Sequence, residues 1–210
     1  KNVEDSRRTM EATKMQYEVG VSAKVDYLQA SSNLVNSEIS SSIINDTNFT
    51  GLYAPELKLF GTVGTGTCFK NANLTQSRSD EETLLHKANF SNATLTDVAW
   101  EGVKMPEGDF TSAIMDNGNF SSGNFVASNL ELASAKNANF SKAGFMNSDL
   151  NRINLFQASL RKARLSGADL SYSNLFGVDI YKAKFGNTKL FGANTKRTLF
   201  AALGVSPEVI

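Results

Sequence analysis

Large apolar residues recur at every fifth position over more than half of this chain. Written in fives from residue 86 to residue 200, the sequence puts Phe, Leu, Ile, Met or Trp at the end of 21 of 23 blocks, Ala135 and Thr195 being the exceptions. Two residues earlier stands a small or short residue: Ala in eleven blocks, Gly, Ser and Val in three each and Thr in two, with Ile153 as the misfit. A period of five matches neither the 3.6 of a helix nor the 2 of a strand. It describes a chain that turns a corner every five residues, with the large residue aimed at an axis and the small one inward where space is tighter. Four such sides make a coil of about 20 residues, and coils stack at roughly the 4.8 Å of strand pairing. The expected fold is an all-β solenoid with a ladder of large side chains along its axis, among them Phe90, Phe110, Phe120, Phe140, Leu160 and Leu170. Burying each contributes roughly 1.5–3 kcal/mol gross, enough in sum to offset the ordering entropy of a narrow solenoid.

The residue before the large one is Asn or Asp in 12 of the 23 blocks. Ala168-Asp169-Leu170, Ala138-Asn139-Phe140 and Ala88-Asn89-Phe90 follow the pattern A-(D/N)-L-X-X, which resembles the repeats of the pentapeptide-repeat proteins. The resemblance implies a right-handed quadrilateral β-helix that acts as a binding scaffold and not as an enzyme. Departures from the pattern, Lys104, Arg164, Lys184 and Leu199, fall at outward positions. A weaker set in a shifted frame comes earlier: Thr47-Asn48-Phe49, Thr67-Cys68-Phe69 and Ala72-Asn73-Leu74. The step from Leu74 to Leu85 is eleven residues, not a multiple of five. The polar run 75–83 is therefore expected to leave the coil as a loop at about 75–84.

The two ends differ from the middle. Helix formers without a pentad signal fill residues 2–19, Gly20 interrupts, and Ser22 can cap a second helix running to about Ser40. A helical segment over 1–41 is thus expected ahead of a β-helix over 42–200. Tyr17-Glu18-Val19-Gly20-Val21 and Asp26-Tyr27-Leu28-Gln29-Ala30 are similar to the helix-to-helix signature of TolC-like outer-membrane efflux channels. That resemblance implies a bacterial envelope protein with an efflux-type helical segment joined to the repeats. The other expectation is an appendage that covers the open end of the solenoid and blocks edge pairing, in a cytoplasmic protein. The sequence begins with Lys1 instead of Met, which leaves room for a leader or further domain upstream. After the last block, Leu203, Val205 and Ile210 with Gly204 and Pro207 predict a short helical cap over 201–210. The family resemblance implies a two-fold dimer contact at that end.

Composition narrows the chemistry. Hydrophobic residues make up 41% and mean hydropathy is -0.24, as in a soluble folded chain. The 21 basic residues balance 21 acidic ones, so an electrostatic partner has to be sought in their arrangement. One cysteine, Cys68, can form neither an intrachain disulfide nor a cysteine metal cluster, and His86 is the single histidine. Both stand at outward positions. Glu107 and Asp109 have no evident cleft to dry them and shift their pKa values. Gly61, Gly64 and Gly66 lack the lysine and the strand-to-helix setting of a phosphate loop and are read as bending a weak coil. Asn-X-Ser/Thr triplets such as Asn48-Phe49-Thr50 arise from the repeat itself and imply no glycosylation. Neither enzymatic activity, nor a cofactor or metal, nor a small-molecule substrate is expected, and the longest apolar run, from Leu199 to Val205, is far short of a membrane span.

Function then rests on outward columns, found by reading every twentieth residue. On the side formed by blocks 101–105, 121–125, 141–145, 161–165 and 181–185, Lys142, Lys162 and Lys182 lie 20 apart, as do Arg164 and Lys184, with Arg161 beside them. The last three of those blocks contain no acid. The opposite-phase side carries Asp149 and Asp169, with Glu107 and Asp109 further along. Phe156 and Phe176, also 20 apart, predict an exposed aromatic ridge. The expected partner is a protein or polyanion, met through the cationic face, the ridge or the loop. Some pentapeptide-repeat proteins bind DNA gyrase as acidic mimics of DNA. The 13 basic against 9 acidic residues between 85 and 200 run against that role here.

Overall fold

A computed structural model describes residues 38 to 202, with side chains to residue 201. The expected helices over 2–37, the TolC-like signature and most of the expected cap and dimer contact, at 203–210, lie outside the described residues.

From Glu38 onward the chain pairs with itself one coil ahead through parallel bridges: Glu38 with Lys58, Ile43 with Val63, Asn48 with Cys68, and so on to Asn174 with Asn194. The coil therefore starts inside the segment expected to be helical, with Ile39 already buried at its axis. Taking 86–105 as the reference coil, the first side is 86–90, the second 91–95, the third 96–100 and the fourth 101–105. Residues 39 to 200 make just over eight such coils. A single short helix, α1 (Leu199–Ala202), ends the described residues.

The backbone shows why the repeat has the composition it has. In the block centred on Phe90, the Asn89 N–H donates to Thr67 O of the preceding coil (2.8 Å), Phe90 N–H to Asp109 O of the next (2.6 Å) and Asn92 N–H to Thr111 O (2.9 Å). Across the corner, Ala93 N–H donates to Phe90 O (2.9 Å). One N–H, that of Ser91, remains, and Asn89 Oδ1 accepts it at 2.8 Å. Every donor of the repeat is thereby used, as a buried backbone requires. All twelve Asn and Asp residues at this position between 86 and 200 accept the same N–H two residues on. The corner is a type II turn, and its third residue lies in the left-handed region, as at Asn92 (φ 56).

At the axis the rings stack coil on coil. Phe49, Phe69, Phe90 and Phe110 follow one another at centroid spacings of 4.9, 5.0 and 5.1 Å, matching the strand spacing of about 4.8 Å. Phe120 and Phe140 stack at 5.2 Å, and Leu160 and Leu170 continue the ladder, both buried. Trp100 packs edge-on to Phe90 and Phe120, and its Nε1–H donates to Ser77 Oγ at 3.0 Å. At the tight inward position, hydroxyls donate to the central carbonyl of the coil before: Thr67 to Ile44 O (2.8 Å), Ser148 to Phe125 O (2.6 Å), Thr188 to Leu165 O (2.8 Å). These hydroxyls stand in for Ala there with their buried donors paired.

Residues 75–84 do not leave the coil, contrary to the loop expected from the eleven-residue step. Arg78 bridges both Lys58 and Ala99, and Ser79 is buried. The bridge interval changes from 20 at Lys58–Arg78 to 21 at Val63–Leu84 and returns to 20 at Leu84–Lys104. A single extra residue is absorbed at one corner, Asp80 to Glu82. There Asp80 Oδ1 accepts from Gly61 N–H (2.9 Å) and from Thr83 Oγ1 (2.8 Å). Burial opposes ionisation of Asp80, but these hydrogen bonds outweigh it and hold the carboxyl below its ordinary range. Gly64 also differs from expectation, for it occupies an axial position where a Cβ would come within 2.8 Å of Ile44 Cγ1. It makes room for its neighbours' side chains; Gly61 and Gly66 are the ones at left-handed corners (φ 61 and 67).

Candidate interaction site

The fourth side carries the densest charge. Its outer middle column runs Ile43, Val63, Leu84, Lys104, Asn124, Gly144, Arg164, Lys184, each bridged to the next. Its corner column holds Lys142, Lys162 and Lys182, all at left-handed φ (65, 58 and 58) and exposed. The fold therefore brings together on one side the six cations singled out from sequence, with successive coils about 4.8 Å apart. Arg161 differs from the other five. Its Nη1 donates to Asp179 Oδ2 at 2.7 Å, and its guanidinium lies 4.7 Å from the Tyr181 ring centroid. Burial raises the Asp179 pKa, while the Arg161 hydrogen bond and the Tyr181 N–H lower it more, so the carboxyl titrates below its ordinary range. Lys182 Nζ sits 5.2 Å over the same ring. Lys142, Lys162, Arg164 and Lys184 make no ion pair among the described residues. Gly144 is buried beneath Arg164, whose Nη2 would lie 3.3 Å from a Cβ there.

The acidic column is not opposite this side, as expected from sequence, but on the one adjoining it. Asp109, Asn129, Asp149, Asp169 and Lys189 are bridged in succession on the first side, which follows the fourth around each corner. Lys189 Nζ meets Asp169 Oδ2 at 3.3 Å. Glu107 accepts from His86 Nε2 at 3.1 Å and pairs with Lys87 at 3.4 Å. The hydrogen bond from His86, more than the charge of Lys87, draws its carboxyl below the ordinary range. Cys68 is half-buried on the first side, with its Sγ 3.2 Å from Thr50 Oγ1. Among the described residues no three His, Cys, Asp or Glu side chains cluster as metal ligands would, and no helix is long and apolar enough to cross a membrane.

Phe156 and Phe176 do stack, 5.5 Å apart and 9° from parallel, yet both are only half-exposed and Arg197 covers Phe176 at 5.4 Å. The exposed aromatics are others: Tyr53, Tyr172 and Phe191, the last two in edge contact at 5.4 Å, and Tyr181 on the cationic side, 44% exposed. Tyr181 follows Arg161 by 20 residues, so the same reading of columns contained it. A shallow cleft of about 480 Å³ beside the cationic side is walled by Arg161, Asp179, Tyr181, Arg197 and Leu199.

The architecture is that of a β-helical repeat scaffold whose variable residues all point outward. A sequence profile described as pentapeptide repeats matches residues 153–192 with eight copies, and the same frame runs unbroken from 86 to 200. The chain thus carries pentapeptide repeats over at least residues 153–192. No curated protein is significantly similar to it in sequence. Among solved structures it is similar to HetL, a pentapeptide repeat protein involved in heterocyst differentiation regulation from the cyanobacterium Nostoc (20% identity, 86% of this chain and 94% of that one, TM-score 0.41). It is also similar to full-length QnrB1, a plasmid-mediated fluoroquinolone resistance protein (16% identity, 80% and 97% covered, TM-score 0.45). A pentapeptide repeat protein from the Arabidopsis thaliana thylakoid lumen matches at 26% identity over 43% of this chain and 59% of its own (TM-score 0.30).

Proposed function

We propose that the protein is a non-enzymatic scaffold that binds a macromolecular partner with an anionic surface through the fourth side of its solenoid. The observation that supports this reading is the set Lys142, Lys162, Arg164 and Lys184, exposed on consecutive coils and without ion pairs among the described residues. Like charges about 5 Å apart along a column repel one another, and a partner that supplies anions removes that cost. A mimic of nucleic acid needs an acidic side of comparable density; here the densest column is cationic. The end segment at 201–210 belongs to the same reading as a cap, with a dimer contact there as a separate proposal.

The test uses heparin as a polyanion probe. Wild-type protein should bind it at low ionic strength with affinity that falls steeply as salt rises. Exchange of two charges in Lys162→Glu, Arg164→Glu should weaken binding more than tenfold while leaving the thermal midpoint within a degree or two. Salt-independent binding, or equal binding by the double variant, overturns the proposal.

A further inference from the structure

The side that carries the cations also carries the acids exposed by the single-residue insertion. At its corner the insertion sets Asp80, Glu81 and Glu82 in a row, and the next coil adds Glu101 at the same corner. Asp80 is turned inward to Gly61 and Thr83. Glu81, Glu82 and Glu101 are exposed and make no ion pair among the described residues. Glu81 is seated where only glycine fits beneath it, since a Cβ on Gly102 would come 2.8 Å from Glu81 Cβ. Between the two charged zones lies one coil whose fourth side is Ser121, Ser122, Gly123, Asn124 and Phe125, uncharged and short-chained on its outer surface. After two uncharged coils at 40–44 and 60–64, the fourth side is thus acidic, neutral and basic in order from 80 to 185, with Lys104 the one cation in its acidic zone.

Resting on the proposed role of this side, we infer that its partner includes a second copy of the chain, docked antiparallel and face to face about a two-fold axis through the 121–125 coil. Such an axis, lying in the contact plane and across the solenoid, reverses the order of coils while keeping each column opposite itself. Coil 101–105 then faces 141–145, and 80–85 faces 161–165. Glu101 meets Lys142, and Glu81 and Glu82 meet Lys162, each pairing occurring twice, while Arg164 faces Leu84 with the Glu82 corner two positions along the strand. Lys104 faces Gly144, the residue of that column with no side chain. Glu101 and Lys142, the facing edges of the two zones, are two coil steps or roughly 10 Å apart along the axis, and the 80–85 and 161–165 coils are twice that, beyond ion-pair contact within one chain. A parallel arrangement would set like zones together. The side is about 40 Å by 10 Å, or roughly 800 Å² over both partners, which fits a weak, salt-sensitive contact.

The full chain should sediment as a concentration-dependent dimer at about 20 mM salt and dissociate at least tenfold more readily at about 500 mM. Glu81→Lys, Glu82→Lys sets cations against Lys162 and Arg164, and Lys162→Glu, Arg164→Glu sets acids against Glu81 and Glu82. Each variant alone should be monomeric at low salt, and their equimolar mixture should pair. The first variant should still bind heparin, at least as tightly as wild type, which separates this inference from the polyanion reading. Ser122→Cys, next to the axis, should cross-link two chains on mild oxidation, whereas Ser166→Cys on the adjoining side should not. A wild type that stays monomeric at low salt overturns the inference, as does a dimer unaffected by either charge exchange or a folded variant pair that fails to associate. If heparin binding also fails, the function proposed for this side falls with it.

Discussion

Individual side chains in this solenoid act through small allowances at the tight inward position. Ile153 and Ala135 are two of the three departures from the size pattern, Thr195 being the third, and they occupy the second side of successive coils, one large where small is usual and the other small where large is usual. Both are buried. Together they keep the summed side-chain volume of the two coils close to that of a regular pair. Ala135→Leu alone should overpack and cost about 1–3 kcal/mol, and Ile153→Ala alone should leave a cavity costing about 2–5 kcal/mol. Chemical denaturation of the double variant should show a loss well below the sum, the coupling expected of residues sharing one space; strict additivity would separate the two sites. Hydroxyls at this position divide in the same way. Ser148 donates to Phe125 O at 2.6 Å, while Ser173 is buried with its Oγ unpaired. Ser148→Ala should therefore cost about 1 kcal/mol and Ser173→Ala should be neutral or stabilising, read from the two thermal midpoints.

At the scale of a side or a corner, much of the structure was legible because each repeat position answers one packing or hydrogen-bonding demand. The axial residue, the small inward residue and the Asn or Asp before the axis follow from ring stacking, crowding and one spare N–H, and these demands recur in every block. What was not legible depends on contacts between coils. Asp80 to Glu82 were read as part of a loop because the frame breaks there, so their position on the cationic side could not be seen. The pairing of Arg161 with Asp179 joins residues on two sides, 18 apart, which a reading of columns at intervals of 20 passes over. That pair also gives the fold a pH dependence. Asp179 has a folded pKa below the ordinary 3.8, so its contribution is present above that value and is lost as pH falls through the folded pKa. Asp179→Asn keeps an acceptor for the Tyr181 N–H but removes the charge. Its stability should be slightly lower than that of wild type above pH 5, by at most about 1 kcal/mol for a pair this exposed, and the difference should vanish as pH falls through the folded pKa of Asp179. A difference that persists in acid would assign the effect to the turn and not to the ion pair.

On the scale of the whole molecule, the coils are linked mainly to their nearest neighbours, so the position of a defect along the axis decides whether it is felt globally. Phe120 lies mid-solenoid, stacked on Phe140 and in edge contact with Trp100 and Phe125. Phe185 lies near the far end, half-buried against the core and in edge contact with Phe200 at 5.0 Å. Removal of the central ring breaks the axial stack between two long runs of coils, and neither run has another covalent or metal staple to hold it, Cys68 being free. Phe120→Ala should cost about 3–5 kcal/mol and lower the midpoint of the whole transition. Phe185→Ala should loosen only the last coils. Hydrogen exchange would show the difference: in Phe120→Ala, amides of the 86–150 region should lose protection together, while in Phe185→Ala they should keep wild-type protection as the amides of 176–200 exchange faster. Equal loss over both regions in the end variant would mean that the solenoid unfolds as one unit whatever the site of damage, and that the charged side, spread over coils from 80 to 184, is lost or kept as a whole.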